Sequence, residues 1–432
     1  MKITLIKPGI GNIISGYNLD EGSMEPLQLA IIAGLIKEPD EAVMYDDRLE
    51  PIPFDETTDL VAITVDTFTS QRAYQIANEF RKRDVKVILG GMHVALLPEE
   101  ALGHADAIVI GDAEPIWDQL ITDVRKNKLQ QKYKGTFGEP QSGYFPDRSI
   151  FKGKKYLPVS LMQFSRGCNF NCSFCSVSKF FNQSHQCRKI DDVLYEIEKD
   201  KLKTILFVDD NMVSNKKELK IFLKELIPMK VRWASQSSID MVNDRELMRL
   251  MADSGCVGNL IGFESININT LKWFNKAPNV RDFNNYKEAL AILRDYGFLT
   301  WASFMLGNDF DTLATIDQTV EFAIKNKFTL AFFHILMPYP GTSIYEQFKK
   351  ENRLLFGDQW WSHPDFRYNQ ATFIPKLMSP EQLSEATIKA NKEFYSWSSI
   401  LHRLWDGKTN RRNLINFLIF SQFNYVLKKT SV

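Results

Sequence analysis

From about residue 160 onward, apolar strand-like runs alternate with amphipathic helical stretches at intervals of about thirty residues, the rhythm of repeated βα units that build a parallel sheet. Strands are expected at about 161–165, 204–208, 231–236, 258–263, 299–306 and 329–336, with helices between them. A chain of 432 residues is too long for one ordinary core, and a second α/β pattern precedes the first. Ile3–Ile6, Val43–Tyr45, Leu60–Val65, Val85–Leu89 and Ala107–Ile110 read as five strands, and Pro26–Ile36, Ser70–Arg83 and Pro115–Arg125 as helices. This predicts an α/β fold with a doubly wound, Rossmann-like domain over 1–130, whose ligand would lie across its strand ends. Residues 131–157, rich in Gly and Pro, read as a linker. The βα repeats occupy 158–345. A mostly helical region follows over 346–432, with helices at Ser343–Asn352, Pro380–Trp397 and Arg411–Leu427.

The segment Arg166-Gly167-Cys168-Asn169-Phe170-Asn171-Cys172-Ser173-Phe174-Cys175 follows the first of the six strands. Its three cysteines supply three thiolates where an iron–sulfur cluster ordinarily takes four, so one iron would keep an open site for a small molecule. A zinc site would want a fourth Cys or His, and a zinc or redox cluster is the alternative.

This C-x3-C-x2-C stretch, with the aromatic Phe174 before the third cysteine, resembles the signature of the radical S-adenosylmethionine (radical SAM) enzymes. The resemblance implies a partial (β/α)6 barrel and a [4Fe-4S] cluster on Cys168, Cys172 and Cys175. It further implies that the open iron takes the amino and carboxylate groups of S-adenosylmethionine, whose reductive cleavage releases a 5′-deoxyadenosyl radical. Candidate contacts to S-adenosylmethionine are Phe174 and residues at successive strand ends, where βα sheets gather their chemistry. Asp209, Asp210 and Asn211 correspond to the segment that meets the methionine amino group, and Gln236 ends the third strand. Glu264 corresponds to a residue that bonds the ribose hydroxyls, and Gly307 and Met337 lie beside the adenine. Taken singly, such polar residues equally cap helices or form turns. Arg166 could grip a carboxylate bidentately, although a surface arginine is the commoner case.

The run Leu89-Gly90-Gly91-Met92-His93, with Pro98-Glu99-Glu100 and Gly111-Asp112-Ala113-Glu114, resembles the cobalamin (B12)-binding domain fused to one large group of radical SAM enzymes. Paired glycines remove side chains where an elongated ligand must pass close to backbone, which makes Gly90, Gly91, Met92, His93 and Gly111 the candidate cobalamin contacts. Pro8-Gly9-Ile10-Gly11-Asn12 stands where some cobalamin enzymes carry a cobalt-ligating Asp-x-His-x-x-Gly motif, which the radical SAM group generally lacks. His93 reads as a loop histidine rather than a cobalt ligand, and Met92 as a core filler. Trp360, Trp361, His363, Phe366 and Tyr368 form an aromatic loop that either covers a substrate pocket or anchors a core.

The resemblance implies an enzyme, and its leading reading is a cobalamin-dependent methyltransferase acting on an unactivated centre of a small molecule. The alternatives are a radical SAM cyclase or oxidoreductase without methyl transfer, a cobalamin-free transfer of the 3-amino-3-carboxypropyl group, and a non-enzymatic iron–sulfur redox sensor. An electron donor such as a flavodoxin or ferredoxin is the expected partner. Lys plus Arg and Asp plus Glu are each 53, so no bulk field argues for nucleic acid. The run Asn413–Phe420 is too short and interrupted to span a bilayer; a packed helix is expected there, with a membrane-surface contact the lesser reading. No signal-peptide pattern stands at Met1, and only five cysteines are present, so a reducing cytoplasm is the expected location.

Overall fold

The computed structural model describes residues 1–10 and 23–430; Gly11 and Asn12 of the early glycine stretch lie outside them. The N-terminal domain is a six-stranded parallel sheet of β1 (Lys2–Lys7), β2 (Glu41–Asp46), β3 (Leu60–Thr64), β4 (Lys86–Gly90), β5 (Ala107–Ile110) and β6 (Lys132–Lys134), in the order β2-β1-β3-β4-β5-β6. Five strands fall where the apolar runs put them. The sixth lies in the expected linker, where Gly135 passes so close to the Asp112 carbonyl that no Cβ would fit. The domain therefore reaches past residue 130.

Helix α1 (Leu27–Leu35) and a later helix, Trp117–Arg125, cover one face of this sheet around Ile3, Leu5, Ile88 and Val109. Helix α2 (Ser70–Arg81) covers the other around Ile63, Val87 and Leu89, with α3 (Met92–Leu96) and α4 (Pro98–Leu102) beside it. Both faces are buried, which is why the strands read as continuous apolar runs. The Trp117–Arg125 helix is α5.

The second domain carries β7 (Ser160–Met162), β8 (Ser165–Gly167), β9 (His185–Cys187), β10 (Thr204–Phe207), β11 (Arg232–Ser237), β12 (Cys256–Glu264), β13 (Leu299–Leu306) and β14 (Leu330–Ile335). Six of them form a parallel sheet in sequential order, β7-β10-β11-β12-β13-β14, a barrel left open between its first and last strands. One expectation needs correction. The first strand was expected to run to 165, but it ends at Met162, and Ser165–Gly167 pairs antiparallel with His185–Cys187. The cause is Asp209 at the end of β10, whose carboxylate accepts from the Phe164 and Ser165 amides and turns the chain out of the sheet.

Helices α6 (Ser176–Phe180), α7 (Ile190–Lys199), α8 (Lys216–Leu226), α9 (Arg245–Asp253), α10 (Ile268–Trp273), α11 (Ala277–Asp282), α12 (Tyr286–Tyr296) and α13 (Leu313–Lys325) occupy the connections. Local chemistry sets their ends. Asn215, Asp244 and Thr312 cap α8, α9 and α13 by accepting from backbone amides, and Gly297 ends α12 in the left-handed conformation. Ala331 and Phe333 of β14 face outward, meeting Tyr395 and Phe394 of the C-terminal region. Phe332 and His334 accordingly face the lumen.

Four further helices follow: α14 (Ser343–Lys350), α15 (Pro380–Phe394), α16 (Trp397–Leu404) and α17 (Leu414–Thr430). The single helix expected over 380–397 is two, because Tyr395 and Ser396 leave the helix and Ser396 caps the next one. Arg403 pins this region to the barrel. It is fully buried, donates to the Phe328, Thr329 and Phe394 carbonyls and to Asn424 Oδ1, and lies 3.8 Å from the Phe394 ring centroid. Trp360 and Trp361 are buried against Phe68 and Leu97 of the N-terminal domain. These two tryptophans thus act as interdomain anchors.

Candidate active site at the junction of the two sheets

Cys168, Cys172 and Cys175 follow β8, beside the carboxyl ends of the barrel strands. None of the five cysteines is in a disulfide, so Cys187 and Cys256 remain thiols. Burial pushes the Cys172 thiol up to about 12, with Lys276 opposing, and raises Cys175 as well. A bound cation would reverse that balance, since coordination removes the proton outright. Asn211 Nδ2 and Ser214 Oγ approach the Cys168 sulfur at 3.7 and 3.8 Å, where they would donate to a thiolate. Three thiols with polar donors beside them fit a sulfur-ligated cluster.

The strand-end residues divide by what they touch. Asp209 is buried and spent on the Phe164 and Ser165 amides, and burial raises its carboxyl to about 7. Asp210 accepts from the Gly167 amide at 2.8 Å, and Gln236 Nε2 donates to the Asp210 carbonyl. Asn211 bonds Ser238 through both ends of its amide. These four residues hold the cysteine loop against β10 and β11. Phe174 stacks edge-on against Phe274 at 4.9 Å.

Glu264 sits at φ 61°, a left-handed conformation uncommon for a side chain of its length. Lys276 Nζ holds it at 2.7 Å, and both side chains are largely buried. Burial opposes the ammonium, but Glu264 and the Cys172 and Cys175 sulfurs outweigh it and raise Lys276 above the ordinary lysine range. Sequence reading passed over Lys276; its only signal was its place just before Pro278, at the start of a helix. Gly307 adopts φ 92°, and its amide donates to Asp311, which burial pushes up to about 6. Met337 packs between the barrel core and the aromatic anchors.

A cavity of about 330 Å³ opens beneath α1 in the N-terminal domain. Leu5, Ala62, Ile88 and Val109 line its floor, Gly90, Gly91 and Gly111 lie on its wall, and Gln163, Arg166 and Val208 reach it from the barrel. The size suits a small-molecule site. The two paired glycines have different work. A Cβ on Gly91, at φ 111°, would lie 2.7 Å from the Val65 carbonyl oxygen, whereas one on Gly90 would meet only Val109 at 3.7 Å. Gly111 is likewise required by the backbone, since a Cβ would lie 2.3 Å from the Thr136 oxygen.

Met92 and His93 do not border this cavity. His93 is wholly buried, with Nδ1 3.3 Å from Thr67 Oγ1 and Nε2 3.1 Å from Glu100. Glu100 also accepts from Tyr74 and from Trp361 Nε1, so His93 belongs to the network that fastens the aromatic anchors. Burial opposes ionisation of Glu100, but the His93 and Trp361 hydrogen bonds hold it below the usual carboxylate range.

Arg166 joins the two sites. Its Nη2 donates to Glu114 at 2.6 Å and its Nε to Gln163 at 2.8 Å, while Nη1 lies 3.1 Å from Asp112. Its carboxylates therefore come from the neighbouring domain. Nη1 is thus held by the Asp112 carboxylate on the cavity wall, so the guanidinium lends that wall its positive charge. Apolar floor, backbone at Gly90 and a guanidinium on the wall together fit the narrow tail of a cofactor such as cobalamin.

Residues 162–323 match the family model of the Radical SAM superfamily. That stretch, most of the barrel, is a radical SAM domain. Among curated relatives, it is similar to the bacteriochlorophyllide d C-8(2)-methyltransferase of Chlorobaculum tepidum, 29% identical over 430 residues that cover 93% of each chain. It is also similar to the C-12(1)-methyltransferase of that organism, 29% identical over 93% of this chain and 89% of the relative. Its fold matches the radical SAM methyltransferase TsrM from Kitasatospora setae with TM-score 0.63, at 18% identity over 81% of this chain and 75% of that one; that structure holds cobalamin and a [4Fe-4S] cluster. This radical SAM chain thus pairs the expected barrel with a cobalamin-binding-like N-terminal fold.

Proposed function

We propose that this radical SAM enzyme is a cobalamin-dependent methyltransferase acting on an unactivated centre of a small molecule. When bound, a [4Fe-4S] cluster would supply the electron that cleaves S-adenosylmethionine, and cobalamin would carry the methyl group. The observation that carries this reading is the N-terminal cavity, which adjoins the cysteine loop through Arg166 and is lined by both domains.

The chain's own residues have separable tasks. Cys168, Cys172 and Cys175 would hold the cluster, with Asn211 and Ser214 donating toward Cys168. Lys276 places a fixed positive charge beside Cys172, Cys175 and Glu264, where added negative charge would otherwise be costly in a buried site. Asp209, Asp210 and Gln236 fix the loop. Gly307 and Met337 lie at the ends of β13 and β14, positions that suit the adenine side of S-adenosylmethionine. The cavity wall at Gly90, beside the Arg166 guanidinium, would receive the cobalamin tail.

The test is anaerobic reconstitution with iron, sulfide and cobalamin, followed by counting of both cofactors and incubation with S-adenosylmethionine and dithionite. Stoichiometric cobalamin uptake with formation of 5′-deoxyadenosine is expected. Absence of cobalamin uptake overturns the methyltransferase reading, and methylthioadenosine as the product supports aminocarboxypropyl transfer instead.

A further inference from the structure

We propose that the outer face of α16 and α17 is a docking surface for an anionic lipid bilayer. Helix α17 turns its two asparagines inward. Asn416 and Asn424 are buried and donate to the Gly297 and Thr329 carbonyls at the amino ends of β13 and β14, so the helix crosses the bottom of the barrel. Its solvent face carries Gln422 and Lys429 but is otherwise apolar: Leu414, Leu418 and Tyr425 are 71, 52 and 51% exposed and fall on one stripe at helical spacing. Packing against the barrel explains the inner face and leaves the outer one without a structural reason.

Helix α16 repeats the pattern. Trp397, Leu401 and the following Trp405 recur every fourth residue and are 57, 55 and 65% exposed. The two stripes join at both ends: Lys428 lies 5.4 Å from the Trp397 ring centroid, and Arg411 lies 4.3 Å from that of Trp405. Cations that flank the α17 stripe therefore lie against the tryptophans at the two ends of the α16 stripe, and they rim the exposed apolar residues.

Charge selects the occupant. Residues 397–430 hold six basic residues against one acidic, Asp406; Arg403 and Asp406 are buried and Lys408 is paired with Asp295, which leaves Arg411, Arg412, Lys428 and Lys429 as the cations of this face, in a chain whose charges balance overall. Exposed tryptophan and tyrosine among leucines, with Lys and Arg beside the rings, suit the headgroup layer of a membrane carrying negative charge. Among the described residues no helix is long and apolar enough to cross a membrane, so the contact is with the surface. The face lies at the opposite end of the barrel from the cysteines and leaves that mouth free. The inference does not depend on which cofactor the N-terminal cavity holds.

The test is flotation of the full-length protein, purified without oxygen, with phosphatidylcholine vesicles that contain or lack phosphatidylglycerol. Binding to the anionic vesicles should exceed binding to neutral ones by about tenfold and weaken at high salt. Trp397→Ser combined with Trp405→Ser should lower it by about tenfold or more, with cluster content unchanged as the control for folding. Should that variant misfold, quenching of the unaltered protein's tryptophan fluorescence by brominated lipid decides the matter, and quenching is expected. The proposal is overturned if the protein stays unfloated with anionic vesicles, if brominated lipid leaves the fluorescence unchanged, or if the same substitutions instead abolish a concentration-dependent dimer.

Discussion

At the barrel rim Glu264 meets Lys276, and Asn211 and Ser214 lean on Cys168, whereas the wall of the N-terminal cavity is mostly aliphatic and offers backbone at Gly90 in place of side chains. The rim is built from charges and donors that answer one another, so removing one partner leaves another buried and uncompensated. The cavity is built from shape, so it should be most sensitive to added atoms. Two cofactor sites in one chain thus rely on different physics, and substitutions can separate them.

The largest effect is expected for Cys172→Ala, which removes one of the three proposed cluster ligands while leaving the cavity untouched. Iron content and turnover should fall to background, whereas cobalamin uptake should persist; retained cluster would break the assignment of the rim. Next is Lys276→Met, which leaves the Glu264 carboxylate buried without its cation. Breaking such a pair costs about 3 kcal/mol, read as a lowered denaturation midpoint together with loss of iron on reconstitution.

The glycine pair sharpens the contrast on the cavity side. Gly91→Ala forces a side chain onto a left-handed backbone and against the Val65 carbonyl, and should destabilise the domain by about 1–3 kcal/mol. Gly90→Ala should leave the melting temperature unchanged while weakening cobalamin binding by about tenfold, because the added methyl projects into the cavity. Equal cobalamin affinity in Gly90→Ala and the parent would remove this wall from the site.

Much of the architecture was legible because βα units announce themselves in one dimension. Strands buried on both faces are apolar runs, and α8, α9 and α13 carry their caps beside them in sequence. What was misjudged depended on residues far along the chain. The first barrel strand stops early because Asp209 captures its amides, and β6 lay hidden in the linker because three residues of Lys-Tyr-Lys become a strand only beside β5. The aromatic loop resolved into anchors because Trp361 finds Glu100, more than two hundred residues earlier.

The sequence by itself determined the chemistry that spacing can carry: three thiolates within eight residues, a parallel sheet of six units, and a glycine pair after a strand. Only the tertiary structure decided which polar residues remain available to a ligand. It spent Asp209 on backbone, His93 on Glu100 and Arg166 on Asp112 and Glu114, and it brought forward Lys276, which no motif marks. The physical reason is that a buried donor or acceptor must be answered by a partner, and in this chain many of those partners come from distant strands or from the neighbouring domain.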